Sequence, residues 1–127
     1  MDIKYVVLPE KKMVKAIAVY NGKYAEGISD QLGDLLVSRG VNPNSLKVPN
    51  NITGISKTHP DDEFDIEVGK QIARDRMLIK YNTKLAEVHE LCKANLEKIT
   101  KSDEWRVKIC NRKIKNATQR LKDTLGN

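Results

Sequence analysis

Residues 66–100, IEVGKQIARDRMLIKYNTKLAEVHELCKANLEKIT, decide how the rest of the chain is read. The stretch holds no proline and a single glycine, Gly69. Leu78, Leu85, Cys92 and Ile99 recur every seven residues, and Tyr81, Val88, His89 and Leu96 fill the intervening turns. That spacing predicts one amphipathic helix of about 50 Å at 1.5 Å per residue. Upstream, Thr58-His59-Pro60-Asp61-Asp62-Glu63-Phe64-Asp65 reads as a turn leading into it. Asp65 is the expected N-cap, and Asp61, Asp62 and Glu63 suit the positive end of the helix. Downstream, Ser102 or Asp103 is expected to cap a second helix that runs to about Thr124 and stops at Gly126.

This last segment carries an apolar seam, Val107, Cys110, Ile114, Ala117 and Leu121, in steps of three and four. Arg106, Lys113 and Arg120 flank it on one side, and Lys108, Lys115 and Lys122 on the other. The seam is expected to pack against the preceding helix, antiparallel to it. An outer face with Trp105, Ile109, Arg112 and Asn116 then remains for another subunit or a ligand.

Before residue 58 the periodicity changes to two. Ile3–Leu8 reads as a strand ended by Pro9. Met13–Tyr20 reads as a half-buried strand, with Val14, Ala16, Ala18 and Tyr20 on one face. Asn21-Gly22 suits a type I′ turn, so 14–20 is expected to pair antiparallel with 23–28. Gln31–Arg39 reads as a short helix between Ser29 or Asp30 and Gly40; Val41–Asn51 is a loop; Ile52–Lys57 is a third or fourth strand. The fold class is α+β in a single domain: a small antiparallel sheet with a short helix over 1–58, then two long antiparallel helices over 59–127, assembled as an oligomer. Self-association is expected because helices this long in 127 residues cannot all hide their apolar faces within one protomer.

Composition narrows the function. The net charge is +6, and residues 101–127 hold eight basic and three acidic side chains, so +5 of it sits in the last segment. Concentrated positive charge favours an anionic partner, although a solvated helix face carries the same pattern. No run of about 18 apolar residues is present, so no membrane span is expected. Met1–Tyr5 lacks the pattern of a signal peptide. Cys92 and Cys110 are not in a C-x-x-C pair and fall on apolar stripes, where cysteine acts as a small hydrophobe. These features point to the cytoplasm.

The sequence contains no P-loop, G-x-G-x-x-G, H-E-x-x-H or G-x-S-x-G. His59 and His89 are not at a metal-ligand spacing with each other or with a cysteine. His59 with Asp61, Asp62 and Asp65 is a conceivable weak cation site, and equally the charge arrangement of a helix start. No metal, cofactor or catalytic residue is therefore assigned, and binding without catalysis is the expected mode of action. Arginine gives planar bidentate donors for phosphate, and tryptophan gives a face on which a base stacks, worth ~1–3 kcal/mol. The candidate ligand-binding residues are Trp105, Arg106, Arg112, Asn116 and Arg120, with Arg74 and Arg76 as separate candidates.

Two segments carry a resemblance. They are Ala18-Val19-Tyr20-Asn21-Gly22-Lys23-Tyr24-Ala25-Glu26-Gly27-Ile28-Ser29, and Gly54-Ile55-Ser56-Lys57-Thr58-His59-Pro60-Asp61-Asp62-Glu63-Phe64-Asp65 running on to Gly69 and Ala73-Arg74. With the order of sheet and long C-terminal helices, they resemble the first family of Thoeris anti-defence proteins. The resemblance implies a phage protein acting in the host bacterial cytoplasm as a sponge. Such a sponge binds cyclic ADP-ribose isomers such as glycocyclic ADP-ribose, and cyclic oligonucleotides of CBASS defence, without degrading them. It implies a homo-oligomer, a dimer or a trimer of dimers, that uses no cofactor. Two other readings remain open: a nucleic-acid-binding phage protein with a double-stranded-RNA-binding-like fold, and a helical adaptor.

Overall fold

Strand β1 (Asp2–Leu8) ends where Pro9 begins a single 3-10 turn, and Lys12, at φ 46°, reverses the chain into β2 (Met13–Val19). In the computed structural model, which describes residues 1–126, these two strands and β3 (Thr53–Lys57) form an antiparallel sheet in the order β1-β2-β3. Helix α1 (Asp30–Ser38) lies between β2 and β3 in sequence. Ser29 caps it by accepting from the Leu32 amide at 3.2 Å, and Gly40 ends it at φ +96°. Helix α2 spans Ile66–Thr124. Asp65 caps it, its Oδ1 accepting from the amides of Glu67 and Val68 at 3.0 and 3.2 Å. Gly126 follows its end at φ +75°. Sheet, short helix, Asp65 cap and Gly126 stop thus follow the sequence reading.

The chain divides into two compact units, Met1–Cys92 and Lys93–Asn127. In the first, alternation along the strands puts Tyr5 beside Ala16, Val7 beside Val14, and Gly54 and Ser56 beside Ala16 and Val14. Val14 and Ala16 are fully buried with Ala73, Met77 and Tyr81 of α2. The small residues set how near the helix comes. A Cβ on Gly54 would stand 2.1 Å from the Ala73 carbonyl oxygen and 2.3 Å from the Met77 amide nitrogen. Only a backbone without a side chain fits there. Met77, with no exposed surface, contributes roughly 1.5–3 kcal/mol by its burial.

Two expected elements are not formed. The hairpin between 14–20 and 23–28 is absent because β2 is the central strand: β1 takes one edge and β3 the other. Neither Asn21 nor Gly22 adopts the positive φ of a type I′ turn. Residues 20–29 run instead as an irregular segment, anchored by the Ala25 amide donating to the Leu46 carbonyl at 2.7 Å. Nor are there two antiparallel helices; α2 is one uninterrupted helix. Between Gly69 and Gly126 no glycine or proline breaks it, and Ser102 and Asp103 cap only a chain that already leaves the helix. The apolar register does shift there, since steps of seven from Ile99 lead to Arg106, Lys113 and Arg120. But the apolar positions remain in phase at steps of eleven: Leu96 to Val107, and Ile99 to Cys110 to Leu121. An α-helix accommodates that spacing without a break.

The seam consequently has no preceding helix to pack against. In the second unit Val107 is 58% exposed, and Ile114 and Leu121 are 63% exposed. Cys110 on the same stripe is exposed too, contrary to the expectation of burial, whereas Cys92 is buried as expected. No described helix is long and apolar enough to cross a membrane.

Candidate functional site

The seven candidate residues fall into separate surroundings. Arg76 is committed to the fold. Its Nη1 donates to the Ile55 carbonyl of edge strand β3 at 2.7 Å, and one turn on Lys80 Nζ donates to the Thr53 carbonyl at 3.0 Å. These two cations cover outward carbonyls that would otherwise invite another strand. Arg74 lies elsewhere on α2, as two residues of separation require. Its Nε is 3.8 Å from Asp75 Oδ1, and it lines a shallow cleft of about 430 Å³ with Tyr5, Lys70 and Gln71. Lys70 Nζ stands 5.7 Å from the centre of the Tyr5 ring.

Trp105, Arg106, Arg112, Asn116 and Arg120 belong to the second unit, and all five are exposed. Helical geometry puts Trp105, Arg112, Asn116 and Arg120 within an arc of about 80°. Arg106 lies beside that arc, next to Arg120. The apolar stripe Val107, Cys110, Ile114, Leu121 occupies the opposite side of the same helix. The site is therefore an open face: one indole, two guanidiniums and an amide along about four turns.

Two groups in the first unit were not singled out as sites from the sequence. A cleft of about 260 Å³ opens between the end of β2, residues 20–25 and residues 47–50, with Tyr81 of α2 in its lining. Beside Tyr81 sits Glu26, whose carboxylate accepts from the Tyr81 hydroxyl at 2.7 Å and from the Met1 ammonium at 3.1 Å. The Glu26 carbonyl lies 2.8 Å from His89 Nε2. This is how residues 20–29 are fastened to α2, with His89 holding the backbone of Glu26. The Tyr81 bond, then the ammonium, hold the Glu26 carboxyl below its usual value of 4.5. Burial, then that same bond, raise the Tyr81 phenol. A carboxyl lowered on folding stabilises the fold above its unfolded pKa, and the contribution is lost as pH falls through the folded value. Stability should therefore decline from about pH 4.5 downward. Glu26→Gln should lower stability at neutral pH and flatten that acid limb, as read by urea denaturation at a series of pH values. An unchanged acid limb would show that Glu26 is not the group responsible.

The acidic turn forms no cation site. His59 Nδ1 accepts from the Asp61 amide at 3.2 Å, and Asp65 is occupied in capping. Among the described residues no group of His, Cys, Asp or Glu is arranged to hold a metal ion. In comparisons with known proteins, no protein-family model, curated protein or solved structure matches the chain.

Proposed function

We propose that the protein is a non-enzymatic sponge that sequesters a cyclic nucleotide signal, a cyclic ADP-ribose isomer or a cyclic oligonucleotide, without altering it. The observation that carries this reading is the grouping of Trp105, Arg112, Asn116 and Arg120 on one exposed helical face. Such a ligand has phosphates, ribose hydroxyls and a base. Guanidiniums, an amide and an indole are the complementary groups. The uncovered stripe on the opposite side supports self-association. Pairing through Val107, Ile114 and Leu121 hides the apolar side chains and leaves the ligand face outward. A further pair of subunits can then close over it, as in a trimer of dimers. The proposed setting is the host bacterial cytoplasm.

The test is calorimetry of the purified protein with cyclic ADP-ribose isomers, cyclic di- and trinucleotides and a duplex RNA. The complex is then heated and the released ligand assayed. Tight binding with unaltered release supports the sponge. Arg112→Ala with Arg120→Ala should weaken binding about 100-fold, from about 1.5 kcal/mol or more per charge-assisted contact, with no change in the thermal melt. A destabilised double variant would make those arginines structural.

One observation favours a second reading. Lys101, Lys108, Lys115 and Lys122, each seven residues from the next, line one flank of the helix beside the ligand face and extend its positive charge. Binding only to duplex RNA, weakening steeply with salt, would support a nucleic-acid-binding protein instead. No binding to either class would leave the helical adaptor.

A further inference from the structure

The cleft of the first unit has a composition unlike the rest of the surface. Tyr20, Tyr24 and Tyr81 line it, three of the four tyrosines in the chain. Two of the phenols are engaged, Tyr24 donating to Asp34 and Tyr81 to Glu26. Tyr20 is the exposed one, and its ring lies across Gly22. A Cβ at residue 22 would stand 2.4 Å from the Tyr20 hydroxyl oxygen and 2.5 Å from two ring carbons. The ring is thus seated on bare backbone. Asn21, Asn50 and Lys47 are exposed along the rim, and among the described residues no carboxylate lines the cleft.

We propose that this cleft is a second binding site, independent of the basic helix, for a single planar nitrogen heterocycle of nucleobase size. Tyr20 supplies the stacking face, because an aromatic ring accepts any base on its π-face. Asn21 and Asn50 supply amide donors and acceptors for the polar ring edge. Lys47, a compact cation on a flexible stem, meets a phosphate carried by the ligand. A volume of about 260 Å³ is below the range of drug-sized pockets, so it takes one base with part of its sugar and not a whole dinucleotide. The site does not depend on the sponge reading, since none of its residues belongs to the second unit.

The experiment titrates the full chain by ligand-observed NMR and calorimetry with adenosine, AMP and inorganic phosphate. Adenosine and AMP should compete for one site, with AMP the tighter. Tyr20→Leu should weaken both about tenfold, and Asn50→Ala, at an exposed position, should weaken both to a lesser degree. Lys47→Ala should remove the advantage of AMP and leave adenosine unchanged. Arg112→Ala with Arg120→Ala should affect none of these, which separates this site from the basic helix. Circular dichroism of Tyr20→Leu checks the fold, and Asn50→Ala carries the test if that variant is destabilised. The proposal is overturned if adenosine does not bind, if phosphate alone binds as well as AMP, or if well-folded Tyr20→Leu and Asn50→Ala bind like the parent.

Discussion

Gly54→Ala is expected to cost about 3 kcal/mol, at the upper end of what overpacking one core position does. The added methyl would meet the Ala73 carbonyl oxygen and the Met77 amide nitrogen at 2.1 and 2.3 Å. Both belong to the backbone of a helix, so neither can swing aside. The helix would have to lift from the sheet, opening space around Ala16, Ala73 and Met77, which are fully buried. The measurement is the urea midpoint of the variant beside Gly40→Ala. At Gly40 the methyl meets open space, and only the positive φ resists substitution. If the Gly54 variant unfolds no more readily than the Gly40 variant, the close approach of α2 to β3 is wrong.

Ile114→Asp separates folding from association. Ile114 is 63% exposed, so in the monomer the substitution should change stability by no more than ~0.5 kcal/mol. The sequence alone suggests the opposite, a large folding cost from a charge buried in a helix–helix seam. In an assembly paired through the stripe, the same carboxylate becomes an unpaired charge in an apolar interface. A cost of about 3 kcal/mol there raises the dissociation constant about 100-fold. Thermal melts at a concentration where the chain is monomeric, together with sedimentation velocity across a concentration series, read both effects. A lowered monomer melt would mean that the seam is covered within the chain. Unchanged sedimentation would remove the stripe as the interface.

The sheet strands, the short helix and its two ends were legible because each has a local cause. Alternation marks the core face of β2, Pro9 ends β1, Ser29 and Asp65 cap, and Gly40 stops. The Asn21-Gly22 signal misled because turn propensity knows nothing of which strand edges are vacant, and both edges of β2 are taken. The division of α2 into two helices came from reading Ser102 or Asp103 as a cap, although both residues also fit inside a continuing helix. Read against steps of eleven, Val107 and Cys110 follow Leu96 and Ile99 with no interruption. The candidate site was legible only as residue types. Spacing puts Trp105, Arg112, Asn116 and Arg120 together, and it separates Arg74 from Arg76. It does not say that Arg76 binds a strand carbonyl, because that contact joins positions 21 residues apart. The tyrosine cleft was hidden for the same reason, since Tyr81 reaches it from a different element.

Within the exposed stripe Val107, Ile114 and Leu121 recur every seven residues, with Cys110 and Ala117 between them, and that spacing sets the geometry of anything that pairs with it. Seven residues in two turns is about 3.5 per turn, slightly fewer than the 3.6 of a straight helix. Two helices joined along such a stripe wind gently to the left around their common axis. A partner with an eleven-residue repeat, about 3.67 per turn, winds to the right, and its seam would drift off this stripe within a few turns. The stripe therefore discriminates by pitch before any side-chain contact is compared: a helix with a seven-residue repeat matches it, and a second copy of this chain carries the same pitch.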